Sequence, residues 1–316
     1  MRVLLTGASS FTGCWFAEAL AAAGAAVTAT CRRPAAAYAG LPRMRLDKVL
    51  AAGCRLVEGT AFGDGTFLEL LRDDGPFDLL CHHGADVGDL RRADYDPLAA
   101  LAADTRNAAE AMRLLAGCGG RGLVVTGSVF EADEGGGDGQ AVNAYGLAKT
   151  LSWQTLRFHA GRHGLAIGRL VIPHPFGPLE KPGFTSSLVR SWLAGRPATV
   201  RRPDLVRDFV HVDMLAAAYV ELCRDVLARG GCQRSTPSGH VGTLLGLAQL
   251  FAQELGPRLG RPCELLARPD PGPATEPSLR VNPGPRSALA SGWPTGPSWD
   301  RYAFYHIFVE TSSIYS

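Results

Sequence analysis

A short apolar strand candidate, Arg2–Thr6, continues through Gly7-Ala8-Ser9-Ser10-Phe11-Thr12-Gly13 into a helix-forming stretch, Phe11–Ala23. No other feature limits the fold as strongly. A glycine turn between a strand and a helix aims backbone N–H groups and the helix N-terminus at one point. The backbone of Ser9, Ser10, Phe11 and Thr12 then suits a pyrophosphate, with Gly7 for the tight turn and Gly13 for close helix–sheet packing. Ser10 stands in the middle glycine slot of T-G-x-x-G-x-x-G, where its side chain narrows the approach. The structural alternative is an ordinary glycine turn.

The strand candidates Ala26–Cys31, Arg55–Glu58, Phe77–Cys81, Gly122–Thr126 and Ala166–Ile172 alternate with helical patterns, notably Asp96–Ala116 and Tyr145–Gly164. Near-continuous apolar strands between helices predict a parallel sheet covered on both faces. Right-handed crossovers make that a Rossmann-type doubly wound α/β fold. After Ile172 the texture changes, because Pro173, Pro175, Pro178 and Pro182 interrupt regular structure. Helices are expected at about Ser186–Ala194, Met214–Ala228 and Thr243–Glu254, a strand over Asp208–Val212, and mostly loop over 267–299. The chain therefore reads as a dinucleotide-binding domain, residues 1–172, and a smaller irregular C-terminal substrate lobe, 173–316. Part of 207–230 is expected to return to the first domain. Glu131–Gln140 reads as an acidic, glycine-rich loop.

Composition narrows the partners. The 316 residues carry 32 basic and 30 acidic side chains, a net charge of +2, which argues against a nucleic-acid-coating or membrane-surface protein. No apolar run reaches the roughly 18 residues that span a bilayer. The eight cysteines lack C-x-x-C spacing and several sit in apolar runs, which suggests free thiols and a cytoplasmic location. His82 and His83 point to opposite faces of a strand, so a shared metal ion is not expected.

The end of the second strand should meet the adenosine ribose. There Arg32 and Arg33 follow directly, with no acid in reach along the chain. A guanidinium suits a 2′-phosphate, so the local reading favours NADP, with NAD possible. Two solvated arginines are the alternative. Further on, Tyr145-Gly146-Leu147-Ala148-Lys149 opens a helix, and residues i and i+4 share a face. Lys149 can lower the phenol's pKa and hydrogen-bond the cofactor ribose. Tyr145 can then exchange the proton that accompanies hydride transfer. Lys149 is one of only three lysines, so its place here is less easily a coincidence.

Together these segments resemble the extended short-chain dehydrogenase/reductase family of nucleotide-sugar epimerases, dehydratases and reductases. Asp78–Ala85 resembles the family's fourth strand, which usually ends His-Leu-Ala-Ala. Thr126-Gly127-Ser128-Val129-Phe130 resembles its catalytic segment ending Val-Tyr-Gly. Pro175-Phe176-Gly177-Pro178 resembles its x-Tyr-Gly-Pro turn. Arg207–Asp213 (RDFVHVD) is similar to its R-D-F-V-H-V-x-D segment, and Ser291-Gly292-Trp293-Pro294 to its Leu-Gly-Trp-x-Pro.

The resemblance implies that His82, Gly84 and Ala85 lie beside the cofactor and that Thr126 is the catalytic hydroxyl, with Ser128 as its alternative. It also implies that His174 touches the substrate. Arg207 would pair with a diphosphate, and Arg268 is a weaker second phosphate arginine. A homodimer packed through Asp96–Ala116 and Tyr145–Gly164 is also implied. Dehydratases of the family carry Asp-Glu after the catalytic Thr, and Gly127-Ser128 departs from that. With Arg32-Arg33, the first expectation is an NADPH-dependent reductase of a nucleotide-linked keto-sugar. The alternative is a nucleotide-sugar 4-epimerase that retains its cofactor. A dinucleotide sensor without catalysis ranks last, since Thr126, Tyr145 and Lys149 are all present.

Overall fold

Val3, Leu4 and Leu5 are all completely buried, which only a strand covered on both faces allows. They belong to β1 (Arg2–Thr6) of a computed structural model that describes residues 1–85, 95–269, 277–282 and 296–310. β1 is followed by α1 (Phe11–Ala22), β2 (Ala26–Thr30), α2 (Gly40–Ala51), β3 (Arg55–Val57), α3 (Gly65–Asp73) and β4 (Leu79–His82). Next come α4 (Pro97–Asp104), α5 (Ala108–Gly117), β5 (Gly122–Ser128), α6 (Ala144–Arg162) and β6 (Ala166–Ile172). The chain continues with β7 (His174–Phe176), α7 (Phe184–Leu193), β8 (Ala198–Arg201), β9 (Val206–His211), α8 (Val212–Arg229) and β10 (Cys232–Ser235). β11 (His240–Thr243), α9 (Leu244–Leu259), β12 (Leu265–Arg268), β13 (Leu279–Arg280) and α10 (Gly296–Phe304) complete it.

Seven strands form one parallel sheet in the order β10-β6-β5-β4-β1-β2-β3. The order reverses between β1 and β4, and the crevice beyond the carboxyl ends of those strands is where such sheets bind ligands. On one face Phe16 of α1 stacks on Tyr219 of α8, ring centroids 4.0 Å apart. On the other, Phe67, Leu71, Met112, Leu115 and Leu156 close the core. Both α8 and β10 come from after residue 172, and β10 pairs with β6 at the sheet edge.

A smaller sheet, β11-β9-β13 with β7 also on β9, packs with Trp192, Phe251, Trp299 and Tyr302 around a separate core. Residues 267–299, expected to be loop, include the end of β12, β13 and the start of α10 among their described parts. The Ser291–Pro294 match lies outside the described residues.

The long helix expected over Asp96–Ala116 is two helices. Asn107 adopts a left-handed φ of 47° and its Nδ2 donates to the Gly63 carbonyl at 2.8 Å. At the end of α4, His82 Nε2 lies 2.9 Å from the Asp104 carbonyl oxygen. The break falls at Asp104-Thr105-Arg106-Asn107, where Asn107 is anchored by a residue 44 positions away.

Candidate active site

The turn after β1 is shaped by a backbone crossing. Gly7 has φ +83°, and a Cβ there would lie 2.8 Å from the Gly84 backbone nitrogen. No side chain fits, so the turn and the end of β4 are held backbone to backbone. Ser10 does not project into the approach as expected. Its Oγ folds back to cap α1, accepting from the Gly13 N–H at 3.0 Å. The Ala8 N–H donates to the Thr30 carbonyl at 3.4 Å and the Ser10 N–H to the Gly7 carbonyl at 3.0 Å, so the turn is held in shape beside the order reversal.

The two adjacent histidines separate, as alternation on a strand demands. His82 points into the core, with Nδ1 2.9 Å from Thr6 Oγ1 and Nε2 on the Asp104 carbonyl. Both ring nitrogens are engaged inside the protein, so the side chain braces the strand end. Burial, then the Lys149 charge, pushes its pKa down to about 3. His83 faces the turn. Its Nε2 lies 2.9 Å from Ser10 Oγ and 3.0 Å from Thr12 Oγ1, and its Nδ1 2.9 Å from Thr126 Oγ1. Attention to the neighbouring histidine hid this residue in the sequence.

Tyr145 sits in the first turn of α6. Asn143 caps that helix, accepting from the Gly146 N–H at 2.9 Å. A Cβ on Gly146 would fall 1.9 Å from the Phe130 carbonyl oxygen, so the helix start presses on the chain leaving β5. Gly146→Ala must push α6 away and carry Tyr145 with it. We expect at least a tenfold loss of turnover with Tyr145 and Lys149 both present, in line with the cost of a misplaced reacting group. Steady-state kinetics beside a circular-dichroism melt would check it.

The phenol is half-buried, edge-on to Phe130 and Tyr95 at 6.2 and 6.5 Å. Burial first, then the Glu131 and Asp104 carboxyls and Tyr95, hold its pKa well above the ordinary range; a hydrogen bond with Ser128 works against this. Desolvation is the largest of these influences, because it disfavours the phenolate. Lys149 is buried nearby, and its charge acts on Glu131, His82 and His83. Thr126 and Ser128 lie two residues apart on β5, hence on one face of the strand.

The acidic loop does not begin as a solvated patch. Glu131 is completely buried; one oxygen accepts from the Ser128 N–H at 2.6 Å and the other pairs with Arg169. Glu134 bridges Arg169 (3.0 Å) and Arg234 (2.6 Å). These pairs fasten the loop below the candidate hydroxyls, where breaking either pair would strand a buried charge.

On the opposite wall, His174 pairs in register with Phe209 and sits 6.2 Å from the Phe130 ring. Arg207 is buried, its Nη1 donating to the Val206 and Ser278 carbonyls at 2.8 and 3.3 Å. Its register partner is Arg280, whose guanidinium lies 4.2 Å over the Phe130 ring. Arg268 is elsewhere, exposed on the separate β8–β12 pair opposite Arg201. The arginine that the fold brings to Arg207 is therefore Arg280, and no motif marked it.

At the ribose corner, Arg33 is drawn onto Tyr38, its guanidinium 4.4 Å from the ring centroid, while Arg32 is exposed. Glu58, at the end of β3, accepts from the Ala35 N–H at 2.6 Å, and its charge reaches Cys31 at the end of β2. An acid is thus present at this corner, contrary to the reading along the chain. It arrives from the neighbouring strand.

The model of the NAD dependent epimerase/dehydratase family matches residues 3–230. The chain belongs to this family. No curated protein matches it. Among solved structures, it is similar to UDP-glucose-4-epimerase from Stenotrophomonas maltophila with bound NAD (18% identity, 100% of both chains, TM-score 0.76). It is also similar to UDP-glucuronic acid 4-epimerase from Bacillus cereus in complex with NAD (15% identity, 97% of this chain and 99% of the other, TM-score 0.73). dTDP-glucose 4,6-dehydratase from Streptomyces venezuelae shares the fold too (17% identity, 99% and 98% covered, TM-score 0.74). The chain is thus an extended short-chain dehydrogenase/reductase with the Rossmann-like sheet of that family. Among the described residues, no helix is long and apolar enough to cross a membrane.

Proposed function

We propose that this family member is an NAD-dependent 4-epimerase of a nucleotide-activated sugar. The observation that carries the proposal is Tyr145 in the first turn of α6, one helical turn before Lys149 and beside the Ser128 and Thr126 face of β5. When bound, the dinucleotide supplies a hydride acceptor and, oxidised, a positive charge. The Gly7 to Gly13 turn at the start of α1, with Gly84 packed against Gly7, suits the pyrophosphate, and Ala85 would lie beside it. Tyr145 gives or takes the proton at its phenol oxygen. Ser128 and Thr126 hold the sugar oxygen that gains and loses charge. His174 and Arg280 lie beside Phe130 with Arg207 in register, and the two arginines would suit a diphosphate.

The dehydratase reading is disfavoured. Gly127 and Ser128 offer no acid, and the Glu131 carboxylate is committed to Arg169 and the Ser128 N–H. Incubation with UDP-glucose, UDP-glucuronic acid or UDP-N-acetylglucosamine should interconvert one of these with its 4-epimer, without net change in nicotinamide absorbance. Steady consumption of NADPH with a 4-keto nucleotide sugar would instead establish the reductase. Binding of dinucleotide with no turnover of any of these sugars would leave a sensor.

NAD rather than NADP follows from the ribose corner, where Glu58 adds negative charge and Arg33 is held on Tyr38. Repulsion of a 2′-phosphate should make NAD bind at least about tenfold more tightly than NADP, a difference of about 1.4 kcal/mol. Fluorescence titration with each reduced dinucleotide checks this, and tighter NADPH binding would reverse the assignment. A homodimer is proposed through α4 and α6, which pack together and leave Leu98, Leu147 and Phe158 exposed.

A further inference from the structure

We infer that His83 is a positioning residue, a neutral imidazole protonated on Nδ1 that ties the pyrophosphate turn to Thr126 and turns the Thr126 hydroxyl proton toward the reacting sugar oxygen. The tautomer follows from the bonds around it. Ser10 Oγ already accepts from the Gly13 N–H, so its own proton is free to be donated, and His83 Nε2 is 2.9 Å away. Thr12 Oγ1, 3.0 Å from the same nitrogen, offers a second hydroxyl proton. With Nε2 accepting, a neutral ring carries its proton on Nδ1. Nδ1–H then donates to Thr126 Oγ1 at 2.9 Å, and the Thr126 proton must point elsewhere. The direction left to it is along the β5 face shared with Ser128.

The surroundings keep the ring neutral. It is half-buried, with Phe16 of α1 packed edge-on at 5.0 Å. The charged or titratable groups acting on it are Lys149 of α6 and His82 of β4, and burial with both of these holds its pKa down to about 3. A histidine here replaces the leucine of the His-Leu-Ala-Ala pattern, so a polar bridge stands where an apolar contact is usual. The consequence is mechanical: the element that holds the pyrophosphate and the strand that holds the sugar oxygen share one ring. The inference rests on the dinucleotide reading of the turn, but its first test requires neither cofactor nor substrate.

That test is nitrogen-15 NMR of the full chain with labelled histidine. Among the eight histidines, the His83 signal is identified by its loss in His83→Leu. If that variant does not fold, the signal is the one moved by Thr126→Val, which removes the Nδ1 partner. We expect the Nδ1–H tautomer with no titration between pH 5 and 8. An Nε2–H tautomer, or titration near the ordinary histidine value, would overturn the inference. The second measurement is NADH titration of His83→Leu. Loss of the tie should weaken binding about three- to tenfold, the worth of a neutral hydrogen bond or two. Unchanged affinity in a folded variant would refute the coupling. Failure of the epimerase assay alone would touch neither result.

Discussion

Replacing Tyr145 with phenylalanine is expected to lower turnover by roughly 10²–10⁴-fold, the usual contribution of a positioned proton-transfer group. The aromatic ring would keep its edge contacts with Phe130 and Tyr95, so the pocket wall survives. Only the phenol oxygen is lost, and that oxygen sits where burial and nearby carboxyls disfavour its charged form. Removing it should leave the melting temperature unchanged or slightly raised. NADH affinity should change by less than about threefold, because the ribose partner is Lys149, which the variant keeps. The split matters: turnover collapses while fold and cofactor binding persist. Turnover within tenfold of the parent would mean that the phenol does not move the proton. The same phenol makes the activity pH-dependent. Burial holds its pKa up, so the phenolate that must accept the sugar's proton in the oxidising half-reaction is disfavoured until cations approach it. Lys149 is the cation the chain itself supplies.

Acid should destabilise the protein well before its carboxylates are titrated. His82 is buried with both ring nitrogens engaged, and its pKa is held at about 3 against an ordinary 6.5. In the unfolded chain it takes up a proton as pH falls below about 6.5, while the folded chain resists until about 3. Stability is therefore complete above about 6.5 and is lost as pH falls between those values. At pH 5 the loss from His82 alone is about 2 kcal/mol. His83 acts in the same direction, with a smaller share because it is only half-buried.

Lower still, Asp213 joins. Burial raises its pKa, but His211, Ser298 and Arg301 outweigh that and hold it at about 2, so its contribution disappears between about 3.8 and 2. Glu131 has the opposite sign. Its pKa is raised by burial despite Arg169, so it is a cost at pH values where the unfolded chain is ionised. Urea unfolding at pH 7.5, 6.5, 5.5 and 5.0 measures the sum. A flat unfolding free energy from pH 6.5 to 5.0 would show that these histidines are not held neutral.

Legibility followed the range of each interaction. The strand Ala166–Ile172 was readable to the residue, since its apolar run needs no partner to announce it. Tyr145 and Lys149 were readable because four residues along a helix is a local spacing. The helix break at Asn107 was not, since its anchor is the Gly63 carbonyl. The burial of Glu131 at the start of the acidic loop was not readable, since its partner Arg169 lies 38 positions on.

What sequence alone determined was the parallel sheet, the glycine turn and the Tyr–Lys helix face, because each is a pattern written within a few consecutive residues. What only the tertiary structure decided was the chemistry at the corners. Glu58 arrived beside the end of β2, Arg280 came level with Arg207 across two paired strands, and His83 gathered hydroxyls from a turn and a strand. Such contacts depend on strand order and register, which bring distant segments within hydrogen-bond reach and which no local pattern specifies.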